Sequence, residues 1–146
     1  MLLNYNKKYR NICLKLFLNV FRSEPWNYSH LEDEKMALYF EDMENTPNFK
    51  GFIYMEQETI QAFCFGIMSS YFGATTFDIK EIVVDVNAQG KGIGSKMLCD
   101  IERDLRKIDV SAITLMTRKE IAAFKFYDKN GYDVSEGAVV MSKFIK

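Results

Sequence analysis

Histidine, paired cysteines and excess charge are all scarce in this chain of 146 residues. It has one histidine, His30, and no C-x-x-C pair, so we expect no metal site. A net charge of −1 provides no overall field that would attract nucleic acid or an anionic membrane surface. The cysteine count is odd, which favours reduced thiols in a cytoplasmic protein; the three are Cys13, Cys64 and Cys99.

Long apolar runs are also missing. No segment approaches the roughly 20 apolar residues of a transmembrane helix. The N-terminus does not resemble a signal peptide, because charge follows its short apolar start. Apolar residues still make up 48% of the chain, which is enough for a hydrophobic core. The length predicts a single domain over residues 1–146.

Hydrophobic periodicity predicts the element order β-α-α-β-β-β-α-β-α-β-β. The spacings Ser29–Glu32 and Thr117–Glu120 have the form of capping boxes and predict two helix starts. The last helix is expected to end at Asn130-Gly131, with strands over 132–134 and 138–144 closing the chain. This order predicts an α/β (α+β) domain with a mixed sheet and helices on both faces.

One predicted strand changes its alternation partway along. Phe77 and Ile79 place apolar side chains at odd positions, whereas Ile82 and Val84 place them at even positions. Side chains of a strand alternate strictly between faces, so this change predicts a β-bulge between Ile79 and Ile82. Burial of both faces is the alternative, because Val83 is apolar too.

A glycine-rich turn follows this strand and opens a helix over residues 93–107. The sequence of the turn is Gln89-Gly90-Lys91-Gly92-Ile93-Gly94. Unpaired N–H groups and the positive end of a helix dipole would meet there, which suits a phosphate. The spacing fits neither G-x-G-x-x-G nor the P-loop, so a plain structural connection is the alternative.

Two segments resemble the GNAT superfamily of acetyl-CoA-dependent N-acetyltransferases. The turn matches that family's [Q/R]-x-x-G-x-[G/A] motif, and residues 123–132 resemble its A-x-x-F-Y-x-K-x-G-[F/Y] block. Each lies on the expected element, so the resemblance covers essentially the whole chain. It implies the GNAT fold, with a mostly antiparallel central sheet and a splayed parallel strand pair.

The resemblance also implies a reaction, the direct transfer of acetyl from acetyl-CoA to a primary amine in a ternary complex. Tyr127 matches the tyrosine that serves the departing thiolate, and the amide of Val84 would face the oxyanion. Glu81 is the candidate base, with a water chain as the alternative. Cofactor contacts are expected from Ile82, Val83, Val84, Gln89, Gly90, Lys91, Gly92, Ile93, Gly94, Ser95 and Phe124.

Acceptor contacts are expected from Trp26, Tyr28 and Tyr71, although Trp26 also suits a purely structural role as an anchor for the first two helices. The expected partners are acetyl-CoA and an amine, in a monomer or homodimer, with no nucleic acid and no membrane. The sequence departs from the family pattern at Val86, Gln89 and Glu120. Two competing readings stay open: a catalytically silent GNAT fold that binds acetyl-CoA as a sensor or partner domain, and an unrelated nucleotide-binding module.

Overall fold

A computed structural model describes all 146 residues. Residue contacts divide the chain into two compact units, residues 1–116 and residues 117–146. The first unit contains β1 (Leu2–Asn4), α1 (Arg10–Arg22), α2 (Asp33–Asn45), β2 (Phe49–Glu56), β3 (Thr59–Tyr71), β4 (Ala74–Val84), α3 (Ile93–Arg106) and β5 (Ala112–Leu115). The second contains α4 (Ala122–Lys129). None of the four helices combines the length and apolar character that a membrane crossing requires.

The five strands of the first unit form one sheet in the order β1-β2-β3-β4-β5. The first three pairs are antiparallel, and β4 pairs with β5 in parallel. Helices α1 and α2 cover one face, and α3 covers the other. The predicted mixed sheet with helices on both faces is confirmed.

Aromatic side chains fill the core between the sheet and helices α1 and α2. The ring of Phe40 lies 5.8 Å from that of Phe63 and 5.2 Å from that of Phe65, and all three are fully buried. On the opposite face Phe52 and Phe77 meet at 5.9 Å, beneath the buried side chains of α3. Burying each of these rings contributes roughly 1.5–3 kcal/mol to the stability of the fold, so the helices on both faces of the sheet are stabilised by aromatic packing.

The predicted β-bulge is confirmed. On β3, Phe65 pairs with Glu81 and Gly66 pairs with Ile79, which leaves Lys80 as the extra residue of β4. Because the extra residue reverses the alternation, Ile79 faces α3 whereas Glu81 turns toward α1 and α2. The bulge therefore decides which side of the sheet receives the only carboxylate in this half of the strand.

Both predicted capping boxes are wrong. Helix α2 begins at Asp33 after an N-cap, Glu32, whose side chain accepts from Lys35 Nζ at 2.8 Å. Helix α4 begins at Ala122, and Glu120 instead accepts from Arg118 Nε at 2.6 Å. In each case the acidic side chain pairs with a nearby cation and the N-cap residue makes no side-chain hydrogen bond to the helix, so the spacing alone does not begin the helix.

The second unit is built around α4, which ends at Asn130-Gly131 as predicted. Asn130 Nδ2 donates to the carbonyl of Phe126 at 2.7 Å, and Gly131 has a φ of 87°, a conformation that favours glycine. The strands predicted over 132–134 and 138–144 are wrong, because these residues form no strand. The one backbone hydrogen bond of residues 138–146 runs from Ala138 N–H to the Ser135 carbonyl. An apolar alternation makes a strand only where a neighbouring strand pairs with it.

Candidate functional site

One edge of β4 lies open beyond the bulge. Strand β5 pairs with β4 only over Thr76–Ile79, so residues 80–84 pair with β3 alone. The N–H of Asp85 donates to the Gln61 carbonyl at 2.8 Å. Since hydrogen-bonded and non-bonded pairs alternate along an antiparallel ladder, the backbone groups of Ile82 and Val84 point away from β3. This edge can accept an extended amide chain as an added strand would pair.

The turn after β4 is held by its own hydrogen bonds. The Asp85 side chain accepts from Asn87 N–H at 2.8 Å, and the Asp85 carbonyl accepts from Gln89 N–H at 3.1 Å. The Gln89 side chain donates to the Val84 carbonyl at 3.1 Å. The donors of Gln89 therefore tie the turn to the end of the strand, and its predicted cofactor contact stays a prediction.

The start of α3 has the character of an anion site. Gly90 and Gly92 have φ angles of 76° and 78°, and an added Cβ at either would meet no atom within 4 Å. No side chain caps this helix, and its first turn carries no acidic residue. The N–H groups of Ile93 and Gly94 and the helix dipole are thus offered to a ligand, with the exposed Lys91 beside them. The side chain of Ile93 is buried, so only its backbone can take part.

Glu81 lies in a half-buried position against α2. Tyr39 donates its hydroxyl proton to Glu81 Oε1 at 2.8 Å. Burial raises the pKa of Glu81 above its ordinary value, and the hydrogen bond from Tyr39 opposes part of that rise. A carboxyl whose pKa is raised in this way is better matched to taking a proton near neutral pH than an exposed one is.

Sequence reasoning missed Tyr39 as a residue of the site. A tyrosine on a buried face needs a partner for its hydroxyl, and that was the available signal. The partner itself was not predictable, because Glu81 is 42 residues away and faces α2 only through the bulge.

The residues predicted to contact the acceptor fall into two groups. Trp26 and Tyr28 lie together, with ring centroids 5.9 Å apart, and both pack on Phe21 of α1. Tyr71 is 67% exposed at the β3–β4 turn and contacts the ring of Phe72 at 4.4 Å. No ring contact joins the two groups, so the structure brings Trp26 and Tyr28 together but not Tyr71.

The second unit contains the predicted Tyr127 and Phe124, both on α4. Tyr127 is buried, and its ring lies 5.5 Å from Tyr132 and 5.2 Å from Phe126. Phe124 is half-buried. The roles predicted for both residues stay predictions. In neither unit do three or more histidine, cysteine, aspartate or glutamate side chains gather in a way that would hold a metal ion.

Comparison with known proteins identifies the family. A family model described as an acetyltransferase (GNAT) domain matches residues 47–134. No curated protein matches the chain. Among solved structures, an aminoglycoside acetyltransferase from an uncultured soil metagenomic sample, in complex with sisomicin, has a TM-score of 0.75 at 18% identity over 100% of this chain and 96% of that one.

Two further structures share the fold. A possible acetyltransferase from Clostridium difficile 630 has a TM-score of 0.79 at 13% identity, over 100% of this chain and 97% of that one. A transcriptional regulator from Bacillus halodurans C-125 has a TM-score of 0.77 at 17% identity, over 98% and 99%. With the matched family model, the five-stranded mixed sheet and the parallel β4–β5 pair, the chain belongs to the GNAT acetyltransferase family.

Proposed function

We propose that the protein transfers an acetyl group from acetyl-CoA to a primary amine by direct attack in a ternary complex. The observation that carries this proposal is the bulge at Lys80, because it coincides with two features that the reaction needs. It lies where β5 stops pairing with β4, which leaves a strand edge open. It also turns Glu81 toward α2, where a carboxylate is partly shielded from water.

The cofactor half of the proposal uses backbone groups. The outward-pointing N–H and carbonyl of Ile82, together with the Val84 carbonyl, would pair with the amides of the pantetheine arm. The N–H groups at the start of α3 would receive the pyrophosphate, where glycines allow close approach. Lys91 adds a positive charge beside them. Phe124 is also proposed to contact the cofactor, as the family resemblance implies.

The chemical half requires a base for the amine, a hydrogen-bond donor for the oxyanion and an acid for the departing sulfur. Glu81 accepts a proton from the ammonium form of the substrate, which frees the lone pair that attacks the thioester carbon. The Val84 N–H, directed to the open edge of β4, donates to the oxyanion. Tyr127 donates its proton to the sulfur as the carbon–sulfur bond breaks, so that CoA leaves as the thiol, and the second proton that the nitrogen loses on becoming an amide restores the phenol. A phenol of ordinary pKa is protonated at neutral pH, which is what this role requires.

We propose a primary amine as the acceptor and name no particular compound. Trp26 and Tyr28 offer aromatic faces at one end of α1, and Tyr71 offers another at the β3–β4 turn. A structural relative was solved with sisomicin, so an aminoglycoside belongs among the amines to be tested. We also propose a cytoplasmic location, on the odd number of cysteines.

Thiol release from acetyl-CoA, measured across a panel of amines, tests the proposal. The panel contains sisomicin, a polyamine, a lysine-containing peptide and a peptide with a free N-terminus. We expect release that depends on one of these amines, and a loss of roughly a hundredfold or more in Tyr127→Phe with CoA affinity near that of the wild type. Calorimetric binding of CoA without turnover of any amine would instead favour a silent fold.

The proposed pyrophosphate site is tested by CoA binding to two lysine variants, one of which is the control. Lys91→Ala should weaken CoA binding by roughly two- to fivefold in low salt, because one exposed charge is lost from the anion site. Lys107→Ala removes the same charge just past the other end of α3, where Lys107 pairs with Asp104, and should leave CoA affinity unchanged. Equal effects of the two variants would show that the affinity reflects overall charge and not this helix start.

A further inference from the structure

The hydrogen bond between Tyr39 and Glu81 is more constrained than a chance surface contact. Tyr39 lies on the face of α2 that packs against the sheet, and its ring is 6.3 Å from Phe17 and 6.2 Å from Phe40. These rings restrict where the tyrosine hydroxyl can point. Glu81 is fixed from the other side by its pairing with Phe65 beside the bulge.

The two oxygens of Glu81 have different surroundings. Oε1 accepts a hydrogen bond from the Tyr39 hydroxyl at 2.8 Å. Oε2 accepts no hydrogen bond from the protein, and it is accessible to solvent. One oxygen therefore fixes the carboxylate and the other is left for a proton. A base must be within hydrogen-bond reach of the proton that it takes, so fixing its orientation matters as much as its basicity.

We infer that Tyr39 is the positioning residue for Glu81: it holds Oε1 so that Oε2 is presented to the amine. This inference rests on the proposed role of Glu81 as the base. Tyr39 acts through Glu81 and is assigned no contact with the cofactor or the reacting atoms.

Other titratable groups around Glu81 do not supply a competing charge. On β3, burial and the charge of Glu81 both raise the pKa of the Cys64 thiol, which stays neutral. On α1, burial raises the pKa of Cys13 to about 12. On β4 itself, Lys80 Nζ pairs with Asp78 Oδ2 at 2.5 Å. Tyr39 is thus the one protein group that donates a hydrogen bond to this carboxylate.

Tyr39→Phe keeps the ring and removes the donor, so it tests the inference directly. Without the hydrogen bond the pKa of Glu81 should rise, and the acidic limb of the kcat/KM profile should move to higher pH. On that limb we expect a loss of roughly tenfold, shrinking as the pH rises and Glu81 ionises. A carboxyl-carbon NMR titration of Glu81, identified by the signal missing in Glu81→Gln, follows the same pKa without any turnover.

Tyr5→Phe is the matched control. Tyr5 also donates to a carboxylate in the core, Glu44 Oε1, at 2.7 Å, so the variant removes the same chemical group from the same kind of partner. It should lower stability without moving either the NMR titration of Glu81 or the acidic limb. The double variant Tyr39→Phe with Glu81→Gln should be no slower than Glu81→Gln alone, because Tyr39 acts through Glu81.

Each failure is distinguishable. If the wild-type limb follows the titration of Glu81 but Tyr39→Phe moves neither, the inference is overturned and the proposed function stands. If Tyr39→Phe slows turnover equally at every pH, or slows the double variant further, Tyr39 does not act through Glu81. If Glu81→Gln retains the limb, Glu81 is not the base, and both the base assignment and the inference fail.

Discussion

Two glutamates in the core between the sheet and helices α1 and α2 show how the number of donors sets the state of a carboxyl group. Burial raises the pKa of Glu44, whose side chain is only 2% exposed, but Arg10 and Tyr5 outweigh burial and lower it overall. Tyr5 donates at 2.7 Å, and Arg10 donates from both Nε and a terminal nitrogen. Glu81 has Tyr39 alone, and its pKa is raised. Glu44 is thus a structural carboxylate, whereas Glu81 has an oxygen that can accept a proton.

Replacing Arg10 with methionine should lower the free energy of unfolding by about 2–3 kcal/mol at neutral pH, because Glu44 is left charged and buried. The folded pKa of Glu44 is depressed, so the stabilisation is present above the unfolded pKa and is lost as pH falls through the folded one. The difference between variant and wild type should therefore shrink in acid. Urea unfolding at several pH values measures it.

Arg22→Met is the control for this prediction. Arg22 pairs with Asp33 at 2.6 Å, but both side chains are exposed, and such a pair contributes at most about 1 kcal/mol. Equal losses in the two variants would contradict the assignment of Glu44 as a buried, paired carboxylate.

Glu81 gives the opposite dependence on pH. Its folded pKa is raised, so its contribution to stability is full below the unfolded pKa and is lost as pH rises through the folded pKa. Glu81→Gln does not titrate and should therefore gain stability relative to the wild type over the range from the unfolded pKa, about 4, to just above the folded pKa. Chemical unfolding at the two ends of this range measures the change, and a constant difference would contradict it.

At the scale of elements, the bulge in β4 was predictable and its surroundings were not. Side-chain alternation is a local property, so the change of phase after Ile79 is visible in the sequence. The partner of the bulge is not, because strand pairing joins residues far apart. Gly66, opposite Ile79, is needed there: an added Cβ would lie 2.3 Å from the Phe77 ring and 2.8 Å from the Asp78 carbonyl oxygen.

Gly66→Ala should therefore lower the free energy of unfolding by about 1–3 kcal/mol, since neither the backbone of Asp78 nor the packed ring can move freely. Gly137→Ala is the matched control, because an added Cβ there meets nothing within 4 Å and the residue needs no unusual φ. Thermal and urea unfolding of both variants measure the effect. Equal unfolding midpoints for the two variants would show that β3 and β4 can move apart beside the bulge and accommodate the added Cβ without loss of stability.

At the scale of the whole molecule, the family and the sheet were predictable because two motifs in a fixed order specify them. The last part of the chain was not. Residues 138–144 have the composition of a strand, yet Met141 is 88% exposed and Phe144 is 93% exposed. An apolar segment forms a strand only if it can pair with the free edge of a neighbouring strand. The local sequence pattern contains no information about such an edge.

Ending the chain after Gly137 should leave the unfolding midpoint within about 2 °C of the wild type, since no residue from 138 to 146 is buried. Binding of a dye that detects exposed apolar surface should decrease, because five large apolar side chains are removed: Val139, Val140, Met141, Phe144 and Ile145. A loss of about 10 °C would contradict this description of the segment.

The bulge also has a consequence for how this sequence can vary. Lys80 has a half-exposed side chain, so the identity of residue 80 is free to change, whereas the number of residues between Ile79 and Val83 is not. Deleting this position would reverse every side chain from Glu81 to Val84, carrying the carboxylate toward α3 and setting Ile82 against Tyr39. Relatives that use the same chemistry should therefore differ by substitution at this point of the strand and keep its length.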